Sequence, residues 1–114
     1  MNEGKVGTHA LINLLGVDSD LIYNNEAVKN KFLKSAESGG FSIIKPFFHE
    51  FKPIGFTGIL LLSESHMSIH TWPEYNYIAV DVFSCSKTAS IDKTIKTLLD
   101  EFKPDKIEKK IVKR

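Results

Sequence analysis

Most of the side chains able to move a proton or make a bond fall between Thr57 and Cys85. Glu64-Ser65-His66 sets a carboxylate, a hydroxyl and an imidazole side by side, interrupting what otherwise reads as a strand interior. His70 follows four residues later, and Cys85, the sole cysteine, closes the next run. A serine near a histidine can become a nucleophile, and a thiol, mostly protonated at neutral pH, can give its proton away. Ser65, His70 and Asp81 can be read as a hydrolase triad, although the Gly-x-Ser-x-Gly elbow is missing and the chain is short for that fold. His66 and His70 can be read as metal ligands, with His9, His49 or Cys85 completing the shell. An i, i+4 pair converges on a helix, however, and Met67 to Trp72 is strand-like; the spacing matches no familiar zinc pattern, so no metal is expected. Ser-Glu-Ser alone is a common loop tripeptide, and a lone cysteine is more often packed than reactive.

The surrounding elements decide which of these groups can meet. His66, Ser68, His70 and Trp72 alternate with Met67, Ile69 and Thr71, and Tyr77 to Ser84 alternates again around Ile78, Val80 and Val82. Two such runs about the turn Pro73-Glu74-Tyr75-Asn76 predict an antiparallel hairpin. With its centre near Glu74-Tyr75, residue 65 pairs with residue 84, and Cys85 lies beside Ser65. His70 is then roughly 16 Å away along an extended strand, and only a bend or bulge would bring it back.

Upstream, His9 to Leu15 reads as a strand closed by Gly16. Asp18, Ser19 and Asp20 offer helix caps, Val28, Phe32, Leu33 and Ala36 fall at helical spacing, and Gly39-Gly40 ends that helix. Phe41 to Phe51 is strand-like with a break or bulge expected at Pro46. Pro53 and Gly55 make a turn before a buried strand, Phe56 to Leu62. Ile91, Ile95, Leu98, Leu99 and Phe102 form a second helical stripe, stopped by Pro104. Lys106 to Val112 suits an edge strand, because its lysines discourage strand-to-strand aggregation. The order predicts an α+β two-layer sandwich, a largely antiparallel sheet with helices on one face.

Composition narrows the function classes. The 114 residues fit a single domain, 1–114, with 42% hydrophobic residues and a formal charge of +1. That balance gives no field to gather nucleic acid or an anionic membrane, and the net +4 between Lys103 and Arg114 reads as a solvated face. The apolar run Ile59 to Leu62 is far too short to span a bilayer, and no secretory leader is legible. One cysteine allows no internal disulfide, so a reducing cytoplasm is the expected compartment.

Taken together, Leu62-Ser63-Glu64-Ser65-His66-Met67-Ser68-Ile69-His70-Thr71-Trp72-Pro73-Glu74 and Ala79-Val80-Asp81-Val82-Phe83-Ser84-Cys85 are far more specific than their parts. They resemble the short prokaryotic S-adenosylmethionine decarboxylases, pyruvoyl-dependent enzymes that cleave themselves. Gly7, His9, Phe48-His49 and Gly55-Phe56-Thr57-Gly58 fall in register with the same family. The resemblance implies that the Ser65 hydroxyl attacks the Glu64 carbonyl. The ester that results undergoes β-elimination, giving a chain of residues 1–64 and a chain of residues 65–114 capped by a pyruvoyl group made from Ser65. The substrate amine forms a Schiff base there, and the carbonyl cofactor accepts the electrons left by CO2, a service no ordinary side chain offers. Cys85 matches the proton donor, His70 the histidine of processing, and Thr57 a processing hydroxyl. Phe51 and Trp72 match aromatics that sandwich adenine, and Glu74 a carboxylate that accepts from both ribose hydroxyls. A homodimer of two-chain protomers, with active sites near the interface, and a role in polyamine (spermidine) synthesis are also implied.

The sequence departs from the family pattern at four places. Thr57 stands where serine is usual, adding a methyl group and restricting χ1. Asn13 stands where an acid is common, Thr8 where many members have arginine, and Val17 or Asp18 where many have cysteine. Two other readings keep the fold: a pyruvoyl-dependent arginine decarboxylase, and a non-cleaving paralogue that serves only as a partner subunit.

Overall fold

The computed structural model describes residues 6–114. Six strands form one sheet in the order β2-β3-β4-β5-β1-β6, every neighbouring pair antiparallel. They are β1 (Thr8–Leu15), β2 (Ile43–Glu50), β3 (Phe56–Leu62), β4 (Ser65–Trp72), β5 (Tyr77–Ser84) and β6 (Lys106–Lys113). The helices are α1 (Ser19–Ile22), α2 (Asn25–Ser38) and α3 (Ile91–Phe102). Ala10, Ile12, Leu14, Leu60, Met67, Ile69, Ile78, Val80 and Val82 alternate along their strands and form one core with Phe32 of α2 and Leu98 and Phe102 of α3. The expected two-layer α+β sandwich is therefore what the chain adopts, with the other sheet face left open.

Capping divides the first helical region differently from the sequence expectation. Asp18 caps only the short α1, accepting from the Asp20 N–H. Asn24 restarts the helix by accepting from the Ala27 N–H at 3.1 Å, which satisfies a donor that the first turn cannot. The bulge in β2 lies between Ile43 and Lys45, at Ile44 rather than at Pro46. Pro46 is tolerated because β2 is an edge strand, whose outward N–H positions need no partner. Lys106–Lys113 takes the opposite edge, as expected. Gly58 is required by packing: a Cβ there would come within 2.6 Å of the Phe48 ring.

Glu64-Ser65-His66 does not interrupt a strand interior. Leu62 pairs with Ser65, so Ser63 and Glu64 are the two-residue turn of the β3–β4 hairpin, and β4 begins at Ser65.

Candidate active site

The β4–β5 register is the one the sequence predicts, with Ser65 opposite Ser84 and Trp72 opposite Tyr77. It delivers Cys85, one residue beyond β5, to the hairpin turn. The Cys85 thiol donates to the Glu64 carbonyl oxygen at 2.6 Å, and the Cys85 backbone N–H points at the same oxygen from 3.4 Å. Cys85 is exposed rather than packed. On the other side of the Glu64–Ser65 peptide, Ser65 Oγ is buried and lacks a hydrogen-bond partner, alone in this among the side-chain N and O atoms of the described residues. A cavity of about 140 Å³ beside it is lined in part by Ser42, Ser63, Ser86 and Thr88. A carbonyl polarised by two donors, next to an uncommitted hydroxyl, is the arrangement that addition to that carbonyl needs.

His70 is not brought to this place. β4 pairs residue for residue with β5 and, from Ser65 to His70, with β3, with no register shift to supply a bend. Ser65 shares the helix-side face with Met67 and Ile69, whereas His70 stands on the open face. There Thr57 Oγ1 and His70 Nδ1 are 3.0 Å apart, joined by a hydrogen bond. The methyl group of Thr57 does not prevent that contact.

Trp72, at the far end of β4, stacks on Tyr77 with ring centroids 5.2 Å apart and lies 5.9 Å from the His70 ring. Glu74 follows, exposed, in the 3-10 turn Pro73–Tyr75. Phe51 lies just beyond β2 at the same end of the sheet, half exposed, its ring edge-on to His49 at 4.8 Å. Thr57, His70, Trp72, Glu74 and Phe51 thus form one group, and Glu64, Ser65 and Cys85 another. The length of β4 separates them, roughly 23 Å from Ser65 to Trp72.

The two alternative clusters are not assembled. Asp81 joins neither Ser65 nor His70: its carboxylate pairs with His9 Nε2 at 2.6 Å and accepts from the Ser68 hydroxyl. His66 and His70 share a face but stand four residues apart on a straight strand, roughly 13 Å. His66 instead approaches His9, ring centroids 6.1 Å apart. The alternation put His66 on the right face, but only the pairing of β1 with β5 brings His9 to it.

The S-adenosylmethionine decarboxylase family profile matches residues 8–114. The chain belongs to the S-adenosylmethionine decarboxylase family. A protein of Persephonella marina named S-adenosylmethionine decarboxylase proenzyme is 39% identical over 112 residues, covering 98% of this chain and 84% of the relative. One of the same name from Archaeoglobus fulgidus is 38% identical over 100 residues, covering 88% and 89%. The crystal structure of the adenosylmethionine decarboxylase from Aquifex aeolicus superposes with a TM-score of 0.88 at 31% identity, over 96% of this chain and 91% of that one. The Trypanosoma brucei AdoMetDC-delta26 monomer shares the fold alone: TM-score 0.69, 13% identity, 91% of this chain and 45% of the other. Among the described residues no helix is long and apolar enough to cross a membrane.

Proposed function

We propose that the chain is made as a proenzyme, cleaves itself between Glu64 and Ser65, and decarboxylates S-adenosylmethionine to the aminopropyl donor for spermidine. The observation that carries this reading is the pair of Cys85 donors on the Glu64 carbonyl oxygen, beside the unpartnered Ser65 hydroxyl. Addition of Ser65 Oγ to the Glu64 carbon puts negative charge on that oxygen, and Cys85 stabilises it. Breaking the C–N bond leaves an ester and a free amine. Loss of the Ser65 Cα proton then expels the Glu64 carboxylate with residues 1–64. The dehydroalanine left behind tautomerises to an imine, and water replaces its nitrogen as ammonia, leaving the pyruvoyl group at residue 65. When formed, that group supplies the electron sink for loss of CO2. Cys85, an exposed thiol beside residue 65, delivers the proton to the substrate carbon.

Glu74 is assigned to the ribose hydroxyls, since a diol donates well to a carboxylate. Phe51 and Trp72, both partly exposed aromatics, are assigned to the adenine. These groups cannot reach residue 65 of their own chain. A homodimer resolves this: a second copy brings its Thr57–His70 pair and its Trp72 end to the Ser65–Cys85 end of the first. The open sheet face supports such pairing, because Leu11, Phe47, Ile59 and Leu61 stand exposed on it. The free, exposed Cys85 thiol suits a cytoplasmic enzyme. Neither the arginine decarboxylase reading nor the inactive subunit finds support in the relatives, which carry the name S-adenosylmethionine decarboxylase proenzyme.

Intact-mass analysis of freshly purified protein tests the reading. Two fragments are expected, residues 1–64 and a carbonyl-capped 65–114 that hydroxylamine traps, together with CO2 release from S-adenosylmethionine. A single uncleaved species of 12.8 kDa would refute it.

A further inference from the structure

The open face carries a second cluster that the decarboxylation reading does not use. His9 on β1, His66 on β4 and Asp81 on β5 each offer one donor atom, and these atoms all lie within 4.8 Å of one another. The three strands are neighbours and each contributes one group to the same patch: His9 and His66 both stand opposite Phe83, and Asp81 is two residues from Phe83 on the same face. The cluster is half buried, with about a fifth of the His9 and Asp81 side chains exposed. We infer that His9, His66 and Asp81 form a site for a divalent transition-metal ion of the zinc type.

The donor set selects that class of ion. Two imidazoles and one carboxylate suit zinc and its neighbours, whereas magnesium and calcium take oxygen donors. A tetrahedral ion with bonds near 2.0–2.1 Å sets its donors about 3.3 Å apart. The His9 Nε2–Asp81 Oδ2 pair at 2.6 Å opens by about 0.7 Å to admit it, and the His66 ring moves inward. The Ser68 hydroxyl already fixes the Asp81 carboxylate through its other oxygen, as outer-shell partners of metal ligands do. Arg114 faces His9 Nδ1 from 3.4 Å and must turn away once the ion takes Nε2 and the ring proton moves to Nδ1. It keeps a perch over the Phe83 ring, 5.0 Å from the centroid. Three protein ligands leave the fourth position to water. The site also has a consequence that rests on the cleavage reading: His9 lies in the 1–64 chain and His66 and Asp81 in the 65–114 chain, so the ion ties the two products together.

The test is calorimetric titration of the full-length, chelator-treated protein with Zn2+, alongside visible absorption on titration with Co2+. One ion per chain is expected, with a tetrahedral Co2+ spectrum that lacks a thiolate charge-transfer band and persists in Cys85→Ala. Ser68→Ala should weaken binding roughly tenfold, and His9→Gln, His66→Gln and Asp81→Asn should each weaken it further. His49→Gln, on the other side of the sheet's open face, should bind as the parent does. Absence of stoichiometric binding, indifference to all three ligand variants, or a thiolate signature would overturn the assignment. Circular dichroism of each variant separates lost ligation from lost fold. Because cleavage is scored by mass, failure of the metal site and failure of the decarboxylase reading remain distinct results.

Discussion

The two ends of β4 present opposite kinds of chemistry. At the Ser65 end the groups that matter are a peptide carbonyl, a backbone N–H, a thiol and a hydroxyl, held by hairpin register and mostly within one turn. At the Trp72 end they are side chains, an imidazole, a hydroxyl, aromatic rings and a carboxylate, standing on an open sheet face or in a turn. The first end has a bond to act on. The second has groups suited to catalysis and recognition but nothing of its own chain within their reach. Under the proposed function the two groups serve one active site, yet within one chain they cannot meet, because an extended strand keeps its ends apart.

The comparison breaks most visibly in a mixing experiment. Ser65→Ala should abolish cleavage and decarboxylation outright, since no other residue can supply the carbonyl. His70→Ala alone should also remain uncleaved. Co-refolded with Ser65→Ala, however, the His70→Ala chains should be cut, because each keeps Ser65 and borrows His70 from its partner. If gel analysis of the mixture shows no cut His70→Ala chain, His70 acts within its own chain and the two-ended description is wrong.

Cys85→Ala sharpens the contrast from the other end. Loss of the thiol leaves one backbone donor on the Glu64 carbonyl, so processing should slow by roughly 10²-fold. The same variant mixed with Ser65→Ala should not be rescued, because thiol and hydroxyl belong to one end; rescue in a time course of cleavage would contradict the register argument. A smaller effect is expected at Glu74. Glu74→Gln should raise KM for S-adenosylmethionine about tenfold and leave cleavage at the parental rate, since a charged acceptor is lost from recognition alone. Unchanged KM would remove Glu74 from the site.

The least effect comes from a cluster of three charged groups that belongs to neither end. Lys34 and Lys31, each 2.9 Å from Glu101, hold its carboxyl down from 4.5 to about 2, chiefly through their hydrogen bonds, against a small opposing effect of burial. A lowered pKa means that the contribution of Glu101 is complete above about 4.5 and fades as the pH falls towards about 2. Glu101→Gln should lower Tm by about 3 °C or less at neutral pH, because the groups are partly solvated. The difference from the parent should be largely gone by pH 2 and vanish only below it. A difference that grows on acidification would reverse the sign.

Much of this arrangement is legible in the sequence. The alternation from His66 to Ser84 and the turn at Pro73–Asn76 dictate the β4–β5 hairpin, and with it the meeting of Cys85 and Ser65. Local capping was harder to place, since Asp18, Ser19, Asp20 and Asn24 all offer suitable side chains and the split between α1 and α2 depends on which is used. The bulge at Ile44 was not legible because Pro46 carries the stronger signal, and edge position, a property of the whole sheet, makes that proline harmless. The sequence offers Asp81 as the acid of a triad with Ser65 and His70, and the pairing of β1 with β5 gives it to His9 instead.

The sequence by itself determined the main strands and the long helices, their buried faces and the Ser65–Cys85 meeting, because hairpin register follows from local periodicity and turn chemistry. Only the tertiary structure decided that β1 enters between β5 and β6, that His70 answers to Thr57 rather than Ser65, and that His9, His66 and Asp81 converge. Those outcomes depend on strand order, which brings together residues up to 105 positions apart and leaves no periodic trace in the chain.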